Sequence, residues 1–93
     1  MRKNTSTILL IQRIVFCMYY LTSNNYETTL TLSSIYHNII QSTYHNIIQS
    51  AYNDITKGLT MLRSIGVVTK NNSRYKLSHC IYLKLKSGEL KDD

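Results

Sequence analysis

Residues 53–78, NDITKGLTMLRSIGVVTKNNSRYKLS, read as one helix running into a small β-hairpin. Ile55, Leu59, Leu62 and Ile65, at spacings of four, three and three, mark the apolar face of that helix. Gly66 stops it, because a glycine just past the last periodic residue adopts a left-handed cap at no steric cost. Val67-Val68-Thr69 switches at once to β-branched residues, so a strand begins there. Asn71-Asn72-Ser73 is a polar turn cluster, and Tyr75-Lys76-Leu77 resumes alternation as the returning strand.

Three cations, Lys70, Arg74 and Lys76, surround this hairpin tip. The helix presents Asn53, Thr56, Lys57, Thr60 and Ser64 away from its apolar stripe. These residue types meet base edges and phosphates. An ordinary amphipathic helix and hairpin with a solvated basic face would use the same residues.

Composition points the same way. The chain has 93 residues and a formal charge of +6, with a pI near 9.5. Such a balance favours a polyanionic partner, and charge alone does not distinguish DNA, RNA and an anionic membrane. At this size one small domain with a large exposed fraction is expected, so dimerisation would help it. The absence of proline and tryptophan, with eight tyrosines against one phenylalanine and abundant Ile and Asn, suits an AT-rich genome such as that of a virus or plasmid.

Upstream, Arg2 and Lys3 precede the apolar run ILLIQRIVFCMYYL, in the manner of a signal peptide. Gln12 and Arg13 interrupt the run, no small-x-small cleavage site follows, and it falls short of the roughly 20 apolar residues of a membrane span. A buried first helix over residues 1–23 and a cytoplasmic location are expected instead. Two apolar rows, Ile8, Ile11, Val15, Tyr19 and Leu10, Ile14, Cys17, Leu21, make this helix apolar on two sides. One side can pack on its own domain and the other on a partner subunit. Ser23-Asn24-Asn25 ends it with turn chemistry.

Between this helix and the one at Asn53 lies an eight-residue repeat, IYHNIIQS (35–42) and TYHNIIQS (43–50), followed by a degenerate copy AYNDITKG. Eight residues is no solenoid period, since solenoid units run to about 20 residues or longer. The duplication is expected to lengthen a second helix that starts near Ser33 or Ser34 and turns near Gln49 to Tyr52 into the third. Ile35, Ile39, Ile40, Tyr44, Ile47 and Ile48 share its apolar face. His37 and His45 stand too far apart on one helix to share an ion. Ser33 or Ser34 can cap the second helix and Ser50 or Asn53 the third, with Asp54 favoured by the dipole in its first turn. Gly58, costly in mid-helix, implies close approach of either the second helix or a DNA backbone. Ser78 could cap a last helix through about Ser87, yet Ile81, Leu83 and Leu85 also alternate as a strand would; residues after Gly88 form a polar tail.

Cys17 and Cys80 lack further ligands at metal spacing and are expected to be small buried hydrophobes. A bridge between them belongs only to a hyperthermophile or an oxidising compartment. No nucleophile elbow, phosphate-binding glycine loop or metal-ligand cluster is present, and three of five acidic residues, Glu89, Asp92 and Asp93, crowd the last five positions. No enzyme activity and no cofactor are expected.

The segment LTMLRSIGVVTKNNSRYKLS resembles the recognition helix and wing of the MarR and PadR winged-helix families. Leu59, Leu62, Gly66, Val67, Val68, Tyr75, Leu77 and Ser78 occupy the family pattern. The resemblance implies an α+β, mainly α, winged helix-turn-helix with a small β-hairpin wing, as one domain over 1–88. Within it, 1–23 would be the dimerisation helix, 33–66 the helix-turn-helix, 67–78 the wing and 79–88 a C-terminal segment for which the family favours a helix, with 89–93 a tail. It implies a homodimer with two reading helices in successive major grooves of a palindrome. In size and composition the chain is also similar to small PadR-like partition-site proteins of archaeal plasmids, which spread on DNA and work with a ParB-like adaptor and its ATPase; a transcriptional repressor is the alternative. Asn53, Thr56, Lys57 and Thr60 are the candidates for base contacts, and Ser50, Tyr52 and Arg63 for phosphates. Arg74 with Asn71 and Asn72 would enter the minor groove, where A·T tracts are strongly negative. Lys70 and Lys76 would anchor the flanking backbone.

Overall fold

A computed structural model describes residues 2–42 and 48–90, with side chains over 8–41 and 52–90. The chain runs through α1 (Arg2–Thr22), β1 (Leu30–Thr31), α2 (Leu32–Ser42), α3 (Ile48–Ser64), β2 (Val68–Asn71), β3 (Arg74–Leu77) and α4 (His79–Ser87). It is a mainly helical α+β fold, with four helices and a three-stranded antiparallel sheet among the described residues. The strand order is β1-β3-β2, with Leu30 opposite Tyr75 and Val68 opposite Leu77.

One core joins every layer. Ile14, Cys17 and Met18 from α1, Ile35 and Ile39 from α2, Ile55, Leu59 and Leu62 from α3, Val68, Tyr75 and Leu77 from the hairpin and Leu85 from α4 are all buried. The second apolar row of α1 therefore turns inward, and the first does not stand free for a partner, since Ile11, Val15 and Tyr19 are half-buried against the same core, as is Phe16. The exposed large apolar side chains of α1 are Ile8, Leu9 and Tyr20, the last 73% exposed.

The hairpin turns on two residues, Asn72 (φ 53°) and Ser73 (φ 71°), between paired Asn71 and Arg74. Two consecutive positive φ values match the twist of the flanking strands, and asparagine tolerates them well. Gly66 (φ 83°) caps α3 as expected, its N–H donating to the Arg63 carbonyl. The C-terminal alternative resolves to a helix, because Tyr82 and Leu85 are buried three apart while Leu83 is exposed. The Ser78 hydroxyl accepts from the Ile81 N–H, and Gly88 (φ 87°) closes the other end.

Several expectations need correction. The second helix does not run through the duplicated octad to Tyr52: α2 ends at Ser42 and α3 starts at Ile48, so Ser50 and Tyr52 belong to α3. Tyr52 packs edge-on against Tyr36, ring centroids 5.5 Å apart, which needs the two helices side by side at that level. The expectations for Tyr44, His45 and Ile47 lie outside the described residues, and those for Ile48 concern a side chain outside them. The start of α2 is capped by Thr31, whose Oγ1 accepts the Ser34 N–H at 3.1 Å, because β1 passes into the helix without a loop. Neither Ser50, Asn53 nor Asp54 lies at the first residue of α3, and its first turn holds no acid. Ile65 is 66% exposed, since Leu62 is the last core position of α3 and the turn at Gly66 hands the next one to Val68.

The close approach at Gly58 is made with α1. A Cβ there would lie 2.7 Å from Ile14 Cδ1, so the crossing of α1 over α3 occupies the space of a side chain. Cys80 is exposed and only Cys17 is buried; both thiols are free, so no bridge joins them within the chain. Strand β1 is an addition that no sequence signal marked. It makes β3 the central strand and ties the hairpin to the end of α1.

Candidate nucleic-acid interface

The exposed surface of α3 is set by the periodicity of its buried side. With Ile55, Leu59 and Leu62 inside, the row Asn53, Lys57, Thr60, Ser64 falls directly opposite, and all four are exposed. Thr56, half-buried, and exposed Tyr52 and Arg63 occupy one flank. The hydroxyls on this face donate to their own helix: Thr56 to the Tyr52 carbonyl at 2.9 Å, Thr60 to the Thr56 carbonyl at 3.0 Å and Ser64 to the Met61 carbonyl at 2.6 Å. What they turn outward in that rotamer is an oxygen acceptor, with a methyl beside it in the threonines. The other flank carries exposed Met61 and Ile65. Ser50 lies in the first turn of α3, its side chain outside the described residues.

Beside this face stands β2. Thr60, Arg63 and Ser64 of α3 and Val68, Thr69 and Lys70 of β2 line one open groove, with buried Val68 as its floor. Helix α3 and the hairpin therefore present one continuous surface.

The basic residues divide into two groups. Arg74 donates from Nε to Thr29 Oγ1 at 2.8 Å, and the Lys76 ammonium lies 3.1 Å from Glu27 Oε1 and 4.3 Å from the centre of the Tyr26 ring. Tyr26 in turn stacks on His79 and Tyr82, centroids 4.6 and 5.4 Å away. Both cations thus fasten the α1–β1 connection to β3, and Lys76 continues the contact through Tyr26 to α4. The expected anchoring of DNA by Lys76 has to compete with this, since its half-buried side chain already meets a carboxylate and a ring face. Arg74 keeps its terminal nitrogens but is tethered through Nε.

In the second group are Lys57, Arg63 and Lys70, which have no carboxylate partner among the described residues. Lys70 lies only loosely over Tyr75, 5.5 Å from the ring centre. Asn71 and Asn72 are exposed at the hairpin end, as expected. The sequence reading missed Tyr26, Glu27, Thr29 and Thr69. Nothing in a short polar connection signals that it will return to the sheet, although the alternation of Val68 and Thr69 could have placed Thr69 outward.

Elsewhere, burial pushes the Cys17 thiol up to about 12, its Sγ lying 3.8 Å from the Ile35 carbonyl oxygen. Among the described residues no group of three or more His, Cys, Asp or Glu side chains could hold a metal ion, and no helix is long and apolar enough to cross a membrane. Compared with known proteins, the chain matches no family model, no curated protein and no solved structure.

Proposed function

We propose that this chain is a winged helix-turn-helix protein that binds double-stranded DNA as a homodimer, at the partition site of an archaeal plasmid, and spreads from it. One observation carries the DNA reading: the outward row of α3 and the basic hairpin form one surface, joined by a groove, on which three cations lack an acidic partner among the described residues. The element order supports the winged-helix assignment, with α2 and α3 as the helix-turn-helix and β2–β3 as a wing whose inner strand pairs with β1. The partition role rests on the resemblance to small PadR-like proteins, together with the ParB-like adaptor and ATPase that it implies.

In this reading α3 enters a major groove, where Lys57 donates to a guanine edge and Asn53 pairs with adenine, while Thr56 and Thr60 offer acceptors and methyls. Tyr52 and Arg63 face phosphates. Asn71 and Asn72, at the wing tip, approach the adjoining minor groove. A two-fold dimer places the half-sites of a palindrome about one helical turn apart. Ile8, Leu9 and Tyr20 of α1, with Leu83 of α4, supply exposed apolar surface for the second subunit.

The test is footprinting on DNA from upstream of the gene, across a protein titration at physiological salt. A footprint that starts at a palindrome and lengthens with concentration is expected. One that stays at a single operator length means a repressor, and none at all removes the DNA role.

A further inference from the structure

The groove between α3 and β2 is specific enough in its chemistry to define one contact. It measures about 480 Å³ and lies open to solvent, so it suits a segment of a long ligand passing through. Its floor is Val68, and its walls carry three hydroxyls, Thr60, Ser64 and Thr69, and two cations, Arg63 and Lys70. Each cation comes from a different wall. No carboxylate among the groove's lining residues answers them, so their charges add.

A helix C-terminus ordinarily repels an anion, since its last carbonyls carry partial negative charge. Here three of those carbonyls are engaged. Met61 accepts from the Ile65 N–H at 3.2 Å and from the Ser64 hydroxyl, Leu62 from Val67 at 2.9 Å, and Arg63 from Gly66 at 3.1 Å. Arg63 lines the groove from α3 and Lys70 from β2, a guanidinium with a planar set of donors and an ammonium that acts as a point charge. Both are long exposed side chains, and two cations on different walls suit a compact, doubly accepting anion on a continuous chain.

We propose that this groove seats a single backbone phosphodiester of duplex DNA, gripped jointly by Arg63 and Lys70. The assignment rests on the DNA-binding reading and sharpens it, because it puts Arg63 and Lys70, each expected at the DNA backbone, on one and the same phosphate and leaves Lys76 out. Shared possession of one phosphate has a numerical signature. Each phosphate neutralised contributes about 0.9 to the slope of log K against log salt concentration. Two cations on separate phosphates would contribute about twice that, whereas two on one phosphate contribute once.

The experiment measures binding of a mixed-sequence 24-base-pair duplex by fluorescence anisotropy over a salt series. It compares wild type, Arg63→Ala, Lys70→Ala, the double variant and Lys76→Ala, each first checked for native helix content. The expected result is a double variant whose slope falls by about 1 while each single variant, its remaining cation still on the phosphate, falls by clearly less, with the slope of Lys76→Ala nearly unchanged. A single variant that already shows the whole fall would overturn the sharing. A fall of about 2 in the double variant would overturn the shared seat and put the cations on separate phosphates. An unaltered slope in the double variant, with wild type binding the duplex, overturns the seat and leaves the DNA reading standing. A wild type that binds no duplex at any salt removes both.

Discussion

At the residue scale, Gly58 shows why a glycine can sit in mid-helix. Alanine there would gain about 1 kcal/mol of helix propensity. Its Cβ would also meet Ile14 Cδ1 at 2.7 Å, so the terminal methyl of a fully buried side chain would have to turn aside within the core. Gly58→Ala is expected to lower stability by about 1–2 kcal/mol in urea unfolding, as overpacking does. Removing the obstructing methyl with Ile14→Val should make the same change at 58 close to neutral. Additive losses in the double variant would show that Ile14 is not the obstacle. The sequence revealed the need for a close approach but not the partner, because nothing local says which helix will cross at that residue. Gly66, by contrast, was legible, since a helix end followed by a valine pair is a local signal.

Cys17 makes the other prediction at this scale. Its folded-state pKa is raised from 9.0 to about 12, so above pH 9 the unfolded chain sheds a proton that the folded chain keeps. Stability from this group is complete below pH 9 and is lost as pH rises toward 12. Wild type should therefore lose more stability than Cys17→Ala between pH 8 and pH 10.5, by on the order of 1 kcal/mol. In the native protein a thiol reagent should label Cys80 fast and Cys17 only after unfolding. Equal pH profiles for the two proteins would refute the linkage.

At the scale of elements, the strap from Ser23 to Thr29 changes the meaning of the hairpin cations. Lys76 and Arg74 hold the connection after α1, through Glu27, Tyr26 and Thr29, and the tyrosine cluster continues into α4. An exposed ion pair contributes little, roughly 0–1 kcal/mol, and the ring contact adds a comparable amount. Lys76→Ala should thus cost about 1 kcal/mol or less in unfolding experiments and speed hydrogen exchange at the amides of β1 and β3. Unchanged exchange there would mean the strap is idle. The hairpin itself could be read from sequence because its turn chemistry and alternation are local. Strand β1 could not, since two residues carry no periodicity and owe their pairing to β3, more than forty positions away. The duplicated octad misled for a related reason. Repeated apolar spacing looks like one long helix, while the packing of Tyr36 on Tyr52 folds it back on itself.

At the scale of the whole molecule, the outer face of α1 is where the proposed dimer would form. Ile8 and Leu9 are each 56% exposed and Tyr20 73%, while Phe16 between them is half-buried against the core. Large side chains left out of a small core are the material of a subunit contact. The chain should sediment as a dimer at micromolar concentration, and Leu9→Arg should sediment as a monomer with unaltered helix content and weaker binding to a palindrome. A wild type that stays monomeric at 100 micromolar would exclude the proposed two-fold arrangement. Most of the core and the outward row of α3 were legible in the pattern of Ile and Leu. The division of cations into bound and unbound was not, because it depends on a connection folding back over the sheet.

The hairpin overhangs its own ladder by only two residues, Asn72 and Ser73, and its inner strand is clamped by hydrogen bonds on both sides. Four paired positions at about 3.3 Å each give an arm on the order of 13 Å long with almost no free swing. Reach is therefore a fixed quantity in this molecule. In the proposed complex a short arm held this way does not swing to meet a groove, so the curvature of the duplex, rather than the hairpin, sets how closely Asn72 approaches it. Duplexes that curve easily at the outer flank would then be preferred over stiff ones with identical contacted bases.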